Sequence, residues 1–127
     1  MTKSKANYII DLSNERGLKM NKEQILTTIE NITNSGYNLT SEVISDGIIK
    51  SEFNGCKLIF NFEIEPLTIS FSIPKGPKLK SVVKTIEALK SVTYYWTVYK
   101  NFQELDFTLD NEKELESVLK NLLDSCK

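Results

Sequence analysis

The chain has 127 residues with average apolar and charged content (40% and 26%), which is typical of one soluble globular domain that folds without a metal or a disulfide framework. Its net charge of −1 and pI near 5.6 provide no global field that would attract nucleic acid or an anionic membrane. The complete absence of histidine removes the usual general base near neutral pH and the commonest transition-metal ligand.

The two cysteines, Cys56 and Cys126, are too few and too widely spaced for a disulfide framework or a zinc site. A reducing compartment is the simpler interpretation, and a single Cys56–Cys126 bridge is the alternative. The apolar run after the basic start is far shorter than the core of a signal peptide, and no run approaches the roughly 20 apolar residues of a membrane span. The sequence therefore predicts a cytoplasmic protein with no membrane segment and no cofactor.

Residues 1–20 are mixed and polar, and we interpret them as an N-terminal arm in which Tyr8 to Leu12 could form a short edge strand. Residues 21–127 are predicted to form a single α+β domain. Its first helix begins at about Asn21, a good N-cap, with Gln24 at the position that completes a capping box. Apolar residues then recur at helical spacing until Ser35-Gly36, and they are Ile25, Leu26, Ile29 and Ile32.

The segment from residue 40 to residue 73 predicts an antiparallel meander. Asp46-Gly47 and Asn54-Gly55 are typical of two-residue hairpin turns with positive φ, and Glu65-Pro66 marks a third break. Strict alternation predicts one buried face. The residues expected to point inward are Leu58, Phe60, Phe62 and Ile64 on one strand and Leu67, Ile69, Phe71 and Ile73 on the next. The less regular strands around 43–44 and 48–53 are expected nearer an edge.

After the break at 74–77, a second amphipathic helix is predicted from the stripe Leu79, Val82, Val83, Ile86 and Leu89. Two strands follow, over 93–101 and 104–110, the second with Leu105, Phe107 and Leu109 inward. A third helix is predicted with Asn111 as N-cap and Glu114 completing a capping box. Its apolar stripe is Leu115, Val118, Leu119 and Leu122.

The order is thus one helix, three or four strands, a helix, two strands and a helix. Helices segregated from antiparallel strands predict an α+β fold, a two-layer sandwich in which helices cover a sheet of five to six strands.

Carboxylates are the remaining candidates for catalysis or for holding a hard cation, because two pairs are expected to share strand faces: Glu63 with Glu65, and Glu104 with Asp106. The alternative is that these charges keep a wet sheet face soluble. Cys56 follows a tight turn and could be exposed, but apart from Lys57 nothing nearby would lower its pKa, so the sequence does not favour a reactive thiol.

A basic cluster surrounds the start of the second helix and could receive a phosphate or an acidic partner, although an ordinary solvated helix start explains it as well. It consists of Lys75, Lys78, Lys80 and Lys84. The only arginine is Arg16, which argues against nucleic-acid recognition because arginine dominates bidentate base contacts.

The most informative stretch for function is TYYWTVYK, residues 93–100. One face carries Tyr94, Trp96 and Val98, and the other carries Thr93, Tyr95, Thr97 and Tyr99. If the first set packs against the helices, the second places two tyrosines on the open face of the sheet, and tyrosine is common at interfaces. The alternative is that Tyr95 and Tyr99 stabilise a wet sheet as cross-strand partners. The candidate protein-binding residues are Tyr95, Thr97, Tyr99, Asn61, Thr68 and Ser70.

These observations favour a non-catalytic protein-binding domain that holds another protein, or a second copy of itself, on an open sheet face. The element order resembles that of the small α+β chaperones of bacterial secretion systems, and small immunity and inhibitor proteins share this size and composition. No motif accompanies either resemblance, and no family is assigned. One alternative is a carboxylate-dependent enzyme or a protein that binds a small ligand or a metal. Another is a weak nucleic-acid binder that uses the aromatic strand and the basic cluster.

Overall fold

The computed structural model describes residues 21–127, so the predicted arm and the strand proposed over Tyr8 to Leu12 lie outside the described residues. The elements are α1 (Lys22–Asn34), β1 (Glu42–Ser45), β2 (Ile48–Phe53), β3 (Cys56–Asn61), β4 (Thr68–Pro74), α2 (Pro77–Ala88), β5 (Val92–Val98), β6 (Phe102–Leu109) and α3 (Leu115–Asp124). A 3₁₀ turn, Glu112–Glu114, precedes α3. This arrangement confirms the predicted α+β class and element order, with four strands in the first group.

The six strands form one antiparallel sheet in the order β1-β2-β3-β4-β6-β5. The first four strands are neighbours in sequence and in space, as expected for a meander. The chain then leaves the sheet through α2, and β6 rather than β5 returns beside β4. Within the described residues, β1 and β5 are therefore the two edges of the sheet.

One face of the sheet is covered by the helical layer, in which α3 packs against both α1 and α2. The alternation on β4 is as predicted, because Ile69, Phe71 and Ile73 are fully buried while Ser70 and Ser72 point the other way. The core continues through both central strands and the helices, and its largest fully buried side chains include Phe60, Phe71, Phe107, Ile25 and Ile32. Among the described helices, none is long and apolar enough to cross a membrane.

The capping box predicted at the start of α1 is present. The side chain of Asn21 accepts a hydrogen bond from the Gln24 backbone N–H at 2.9 Å, and the Gln24 side chain accepts one from the Asn21 N–H at 2.9 Å. The tight turn at Asn54-Gly55 is also as predicted, with φ values of +49° and +84°.

The start of the third helix differs from its prediction. The side chain of Asn111 does cap a helical turn, but it accepts from the Lys113 N–H and the turn is 3₁₀ rather than α-helical. Glu114 does not complete a capping box, because its carboxylate accepts a hydrogen bond from the Ser91 hydroxyl at 2.7 Å instead. A tertiary contact has replaced the local one.

Two side chains predicted to face inward are exposed. Strand β3 ends at Asn61, whose side chain accepts a hydrogen bond from the Glu63 N–H and so turns the chain out of the sheet. Ile64 lies beyond that turn and is 53% exposed. Val98 is the last residue of the edge strand β5 and is 64% exposed, because the core reaches Tyr94 and Trp96 but no further along this strand.

Gly47 is needed for a different reason from the one predicted. Within residues 21–127 positive φ angles occur at Gly36, Asn54, Gly55 and Gly76, so the Asp46-Gly47 turn does not use them. Gly47 is buried instead, and a Cβ atom at this position would lie 1.9 Å from Cγ of Glu63. The glycine lets the loop after β3 pack directly against the β1–β2 turn.

We expect Gly47→Ala to lower the free energy of unfolding by about 1–3 kcal/mol, because the added methyl group overpacks against Glu63. In a Glu63→Ala background the same change should cost much less, because only the Cβ atom of residue 63 remains close to the added methyl group. Urea denaturation of the two single variants and the double variant measures this coupling.

Gly55→Ala serves as the matched control, because it also alters a hairpin glycine but is strained by its φ of +84° with no neighbour within 4 Å. Its cost should be the same with and without Glu63→Ala. Strictly additive effects of Gly47→Ala and Glu63→Ala would contradict the close-packing explanation.

Candidate functional site

The face of the sheet opposite the helices is here called the open face. Across strands β4, β6 and β5 it carries two rows of polar side chains. The strand register places Tyr95 opposite Asp106 and Thr97 opposite Glu104. On the other side of β6 the same two carboxylates lie opposite serines of β4. The rows are therefore Tyr95–Asp106–Ser70 and Thr97–Glu104–Ser72.

Strand β6 carries a carboxylate pair on the open face. Asp106 is only 7% exposed, and its Oδ1 accepts a short hydrogen bond from the Ser70 hydroxyl. Burial raises the pKa of Glu104, and the hydrogen bond to Asp106 and the repulsion between the two carboxylates raise this pKa further. Glu104 and Asp106 are thus a pair of adjacent carboxyl groups flanked by hydroxyl groups.

Aromatic and apolar side chains lie beside this pair on the edge strand. Tyr95 is 65% exposed and Tyr99, just past the end of β5, is 43% exposed. The Tyr99 ring stacks on Phe102, with 4.6 Å between the centroids and 16° between the ring planes. Trp96 is half-buried and packs against the core from the other face. The strand is thus fixed by one set of aromatic side chains and exposes another.

The six predicted binding residues do not form one cluster. Tyr95, Thr97 and Ser70 meet around the carboxylate pair, and Tyr99 lies at one end of the same face. Asn61 and Thr68 are partners in the β3–β4 register, but their side chains serve the loop between these strands. Asn61 accepts from the Glu63 N–H at 3.0 Å, and Thr68 donates to the Pro66 carbonyl at 3.3 Å.

The second predicted carboxylate pair is not formed as expected. Glu63 and Glu65 were predicted to share a strand face, but β3 ends at Asn61 and both residues lie in the exposed loop that follows. Across residues 21–127, no group of three or more histidine, cysteine, aspartate or glutamate side chains is close enough to hold a metal ion.

The basic cluster at the start of α2 is partly structural. Lys78 donates from Nζ to the Asn54 carbonyl at 2.7 Å and so ties the helix to the β2–β3 turn. Lys75, Lys80 and Lys84 are exposed. Pairing of these lysines with a phosphate or an acidic partner stays a prediction.

The two cysteines are buried and free, so neither the exposed Cys56 nor the Cys56–Cys126 bridge that the sequence allows is present. Both side chains have no accessible surface. The two thiols lie close enough for each to shift the pKa of the other, although the residues are far apart in the chain. This pair lies on the helical side of the sheet, away from the carboxylate pair.

No family model, curated protein or solved structure matches the chain. The chemistry and geometry of the open face are therefore the basis for the function proposed below.

The raised pKa of Glu104 predicts the direction in which the stability of the protein changes with pH. Between the ordinary glutamate pKa near 4.5 and the raised value in the folded state, the native protein binds more protons than the unfolded chain. Stability should therefore fall as the pH rises through this window. We expect Glu104→Gln, which keeps a donor toward Asp106, to flatten this fall and to raise the melting temperature more at pH 8 than at pH 4.

Asp110→Asn is the matched control, because Asp110 is an exposed carboxylate at the end of the same strand. Melting curves from pH 4 to pH 8 should show the wild-type slope for this variant. A Glu104→Gln protein with an unchanged slope would mean that Glu104 does not hold the extra proton.

Proposed function

We propose that the chain is a non-catalytic protein-binding domain, and that its partner, another protein or a second copy of the chain, docks on the open face at β5. The observation that carries this proposal is the exposure of Tyr95 on an edge strand, and of Tyr99 just past its end, while Tyr94 and Trp96 pack against the core from the other face. Tyrosine offers a large contact area and a hydroxyl group with few rotamers, so ordering it on binding costs little entropy.

The backbone of β5 supports a strand-pairing mode of docking. The Tyr99 N–H donates to the Phe102 carbonyl, so residues 99 and 102 are a hydrogen-bonded pair of the β5–β6 hairpin. Such pairs alternate along an antiparallel ladder, so the backbone N–H and C=O groups of Tyr95 and Thr97 also bond to β6. The backbone N–H and C=O groups of Tyr94 and Trp96 point away from β6. Within the described residues no strand pairs on that side. An extended segment of a partner could add there as a further strand.

The chemistry of the open face indicates which partner would fit. The carboxylate pair and its serine neighbours offer acceptors and a negative charge close to the exposed tyrosine rings. A segment with apolar side chains on one face and a lysine or arginine near its centre would match both features. The two unpaired cysteines favour a reducing compartment such as the cytoplasm for this activity.

The test compares two pairs of exposed apolar side chains on opposite edges of the sheet. Tyr95→Ser with Tyr99→Ser removes the proposed contact, whereas Val43→Ser with Ile44→Ser removes a pair of similar exposure on β1. Self-association is measured by sedimentation velocity, and partners are captured from the source cells and quantified by mass spectrometry. We expect the β5 variant to lose dimer or partner at least tenfold, and the β1 variant to retain it.

Both variants should keep the wild-type far-ultraviolet circular dichroism spectrum, because the four side chains are exposed. Retention of the same dimer or partner by the β5 variant would remove this surface from consideration. Loss in the β1 variant alone would move the interface to the opposite edge.

A second candidate function is supported by the carboxylate pair itself. Asp106 is buried and hydrogen-bonded, and Glu104 beside it holds its proton more tightly than usual, which suits a small ligand that carries an amine or several hydroxyl groups. Tyr95 would lie against such a ligand, as aromatic rings do with bound cations.

A thermal-shift screen of amines, sugars and divalent metals tests this candidate. We expect a true ligand to raise the wild-type melting temperature in a concentration-dependent way, as mass action requires. The shift should be lost in Asp106→Asn and kept in the control Asp110→Asn. No shift with any compound at millimolar concentration would count against a small-ligand function.

A further inference from the structure

The two cysteines form an isolated dithiol on the helical side of the sheet. Cys56 is the first residue of β3, and Cys126 lies just after the end of α3. Both side chains have no accessible surface, and the Asn54 side chain, two residues before Cys56, contacts the Cys126 carbonyl, so the two cysteines lie side by side in the core. The two thiols are therefore neighbours, and neither is used by the open face.

Polar and positively charged groups border the dithiol on one side. Asn54, in the turn before Cys56, donates from its side chain to the Cys126 carbonyl at 3.4 Å. Lys78 donates to the Asn54 carbonyl at 2.7 Å, and its charge acts on both thiols. The same three elements (the turn, the end of α3 and the start of α2) therefore converge on the pair.

The two thiols have different acidities. The pKa of Cys56 is lowered from its ordinary value. The interaction with the Cys126 thiol and the charge of Lys78 both lower this pKa, and together they outweigh burial, which raises it. The interaction with the Cys56 thiol raises the pKa of Cys126, and burial and the repulsion from Cys56 act in the same direction. The lower pKa makes Cys56 the better nucleophile of the two.

We infer that Cys56 and Cys126 are a reversible redox site, which hydrogen peroxide converts to an intramolecular disulfide that joins the end of α3 to the sheet. The Cys56 thiolate attacks one oxygen of the peroxide and breaks the O–O bond, so that Cys56 becomes a sulfenic acid. The departing hydroxide leaves as water with the proton that the Cys56 thiol had lost.

The sulfur of Cys126 then attacks the sulfur of Cys56, and the S–O bond breaks. The hydroxyl group leaves as a second water with the proton of Cys126. Two thiols are oxidised by two electrons in total and one peroxide is reduced, which gives one disulfide and two waters. Because both thiols are buried, this reaction requires a small uncharged oxidant or a local opening, and a dithiol reductant reverses it.

The experiment uses the whole reduced protein treated with hydrogen peroxide and quenched with catalase. After denaturation, alkylation and mass spectrometry count the remaining thiols and locate any cross-linked peptide. We expect the wild type to lose both thiols as a monomer, to yield a Cys56–Cys126 peptide pair, and to recover both thiols with dithiothreitol. The melting temperature of the oxidised form should rise by on the order of 10 °C, as expected for a disulfide that closes a long loop.

Lys78→Met tests the role of the neighbouring charge, and Lys80→Met is the matched control on the same helix. The first should slow thiol loss several-fold, and the second should leave the rate unchanged; equal rates would remove Lys78 from the site. The inference itself is overturned if the native protein keeps both thiols at a peroxide dose that oxidises it in urea. It is also overturned if oxidation yields sulfinic acid or only intermolecular dimers.

Discussion

The pairing of β4 with β6 controls what the rest of the sheet exposes. The two strands are adjacent in register from Ile69 opposite Phe107 to Pro74 opposite Phe102, which continues the buried face without a break. The same register places Ser70 beside Asp106 on the open face. Because β6 occupies the place next to β4, the preceding strand β5 is left with one partner and becomes an edge. The exposed tyrosines and the carboxylate pair therefore follow from a single strand pairing.

Much of the fold was predictable because it is encoded over short distances. The capping box at Asn21 and Gln24 and the hairpin at Asn54-Gly55 each depend on residues a few positions apart, and both are present. Alternation identified the buried face of β4 for the same reason. What alternation could not give was the end of a strand. Ile64 and Val98 continue an apolar pattern past the point where the strand has turned or the core has ended.

Features that depend on distant residues were missed or misassigned. Glu114 was predicted to cap its own helix, but a serine that lies before β5 takes its carboxylate. The requirement for Gly47 comes from a side chain that follows β3 rather than from its own φ. The proximity of Cys56 and Cys126, which the sequence offers only as an alternative in the form of a bridge, joins the sheet to the last described turn. None of these pairs has a local signal, because only the tertiary packing of the helices on the sheet brings their members together.

For the candidate site, the sequence supplied the parts but not their assembly. The hydroxyl-rich face and the carboxylates supported competing hypotheses, whereas the register makes them one surface.

The closeness of the tyrosines to the carboxylate pair matters for any partner that covers Tyr95. Such a partner would exclude water from Glu104 and Asp106, and further burial disfavours a second negative charge on the pair. A docked segment without a positive charge would therefore favour the singly protonated pair. At a pH above the pKa that Glu104 has in the unbound protein, the complex would take up protons as it forms. A segment that places a lysine or arginine there would not, because its charge stabilises both carboxylates in ionised form. The pH dependence of binding would thus distinguish a partner that pairs with the carboxylates from one that only covers the aromatic edge.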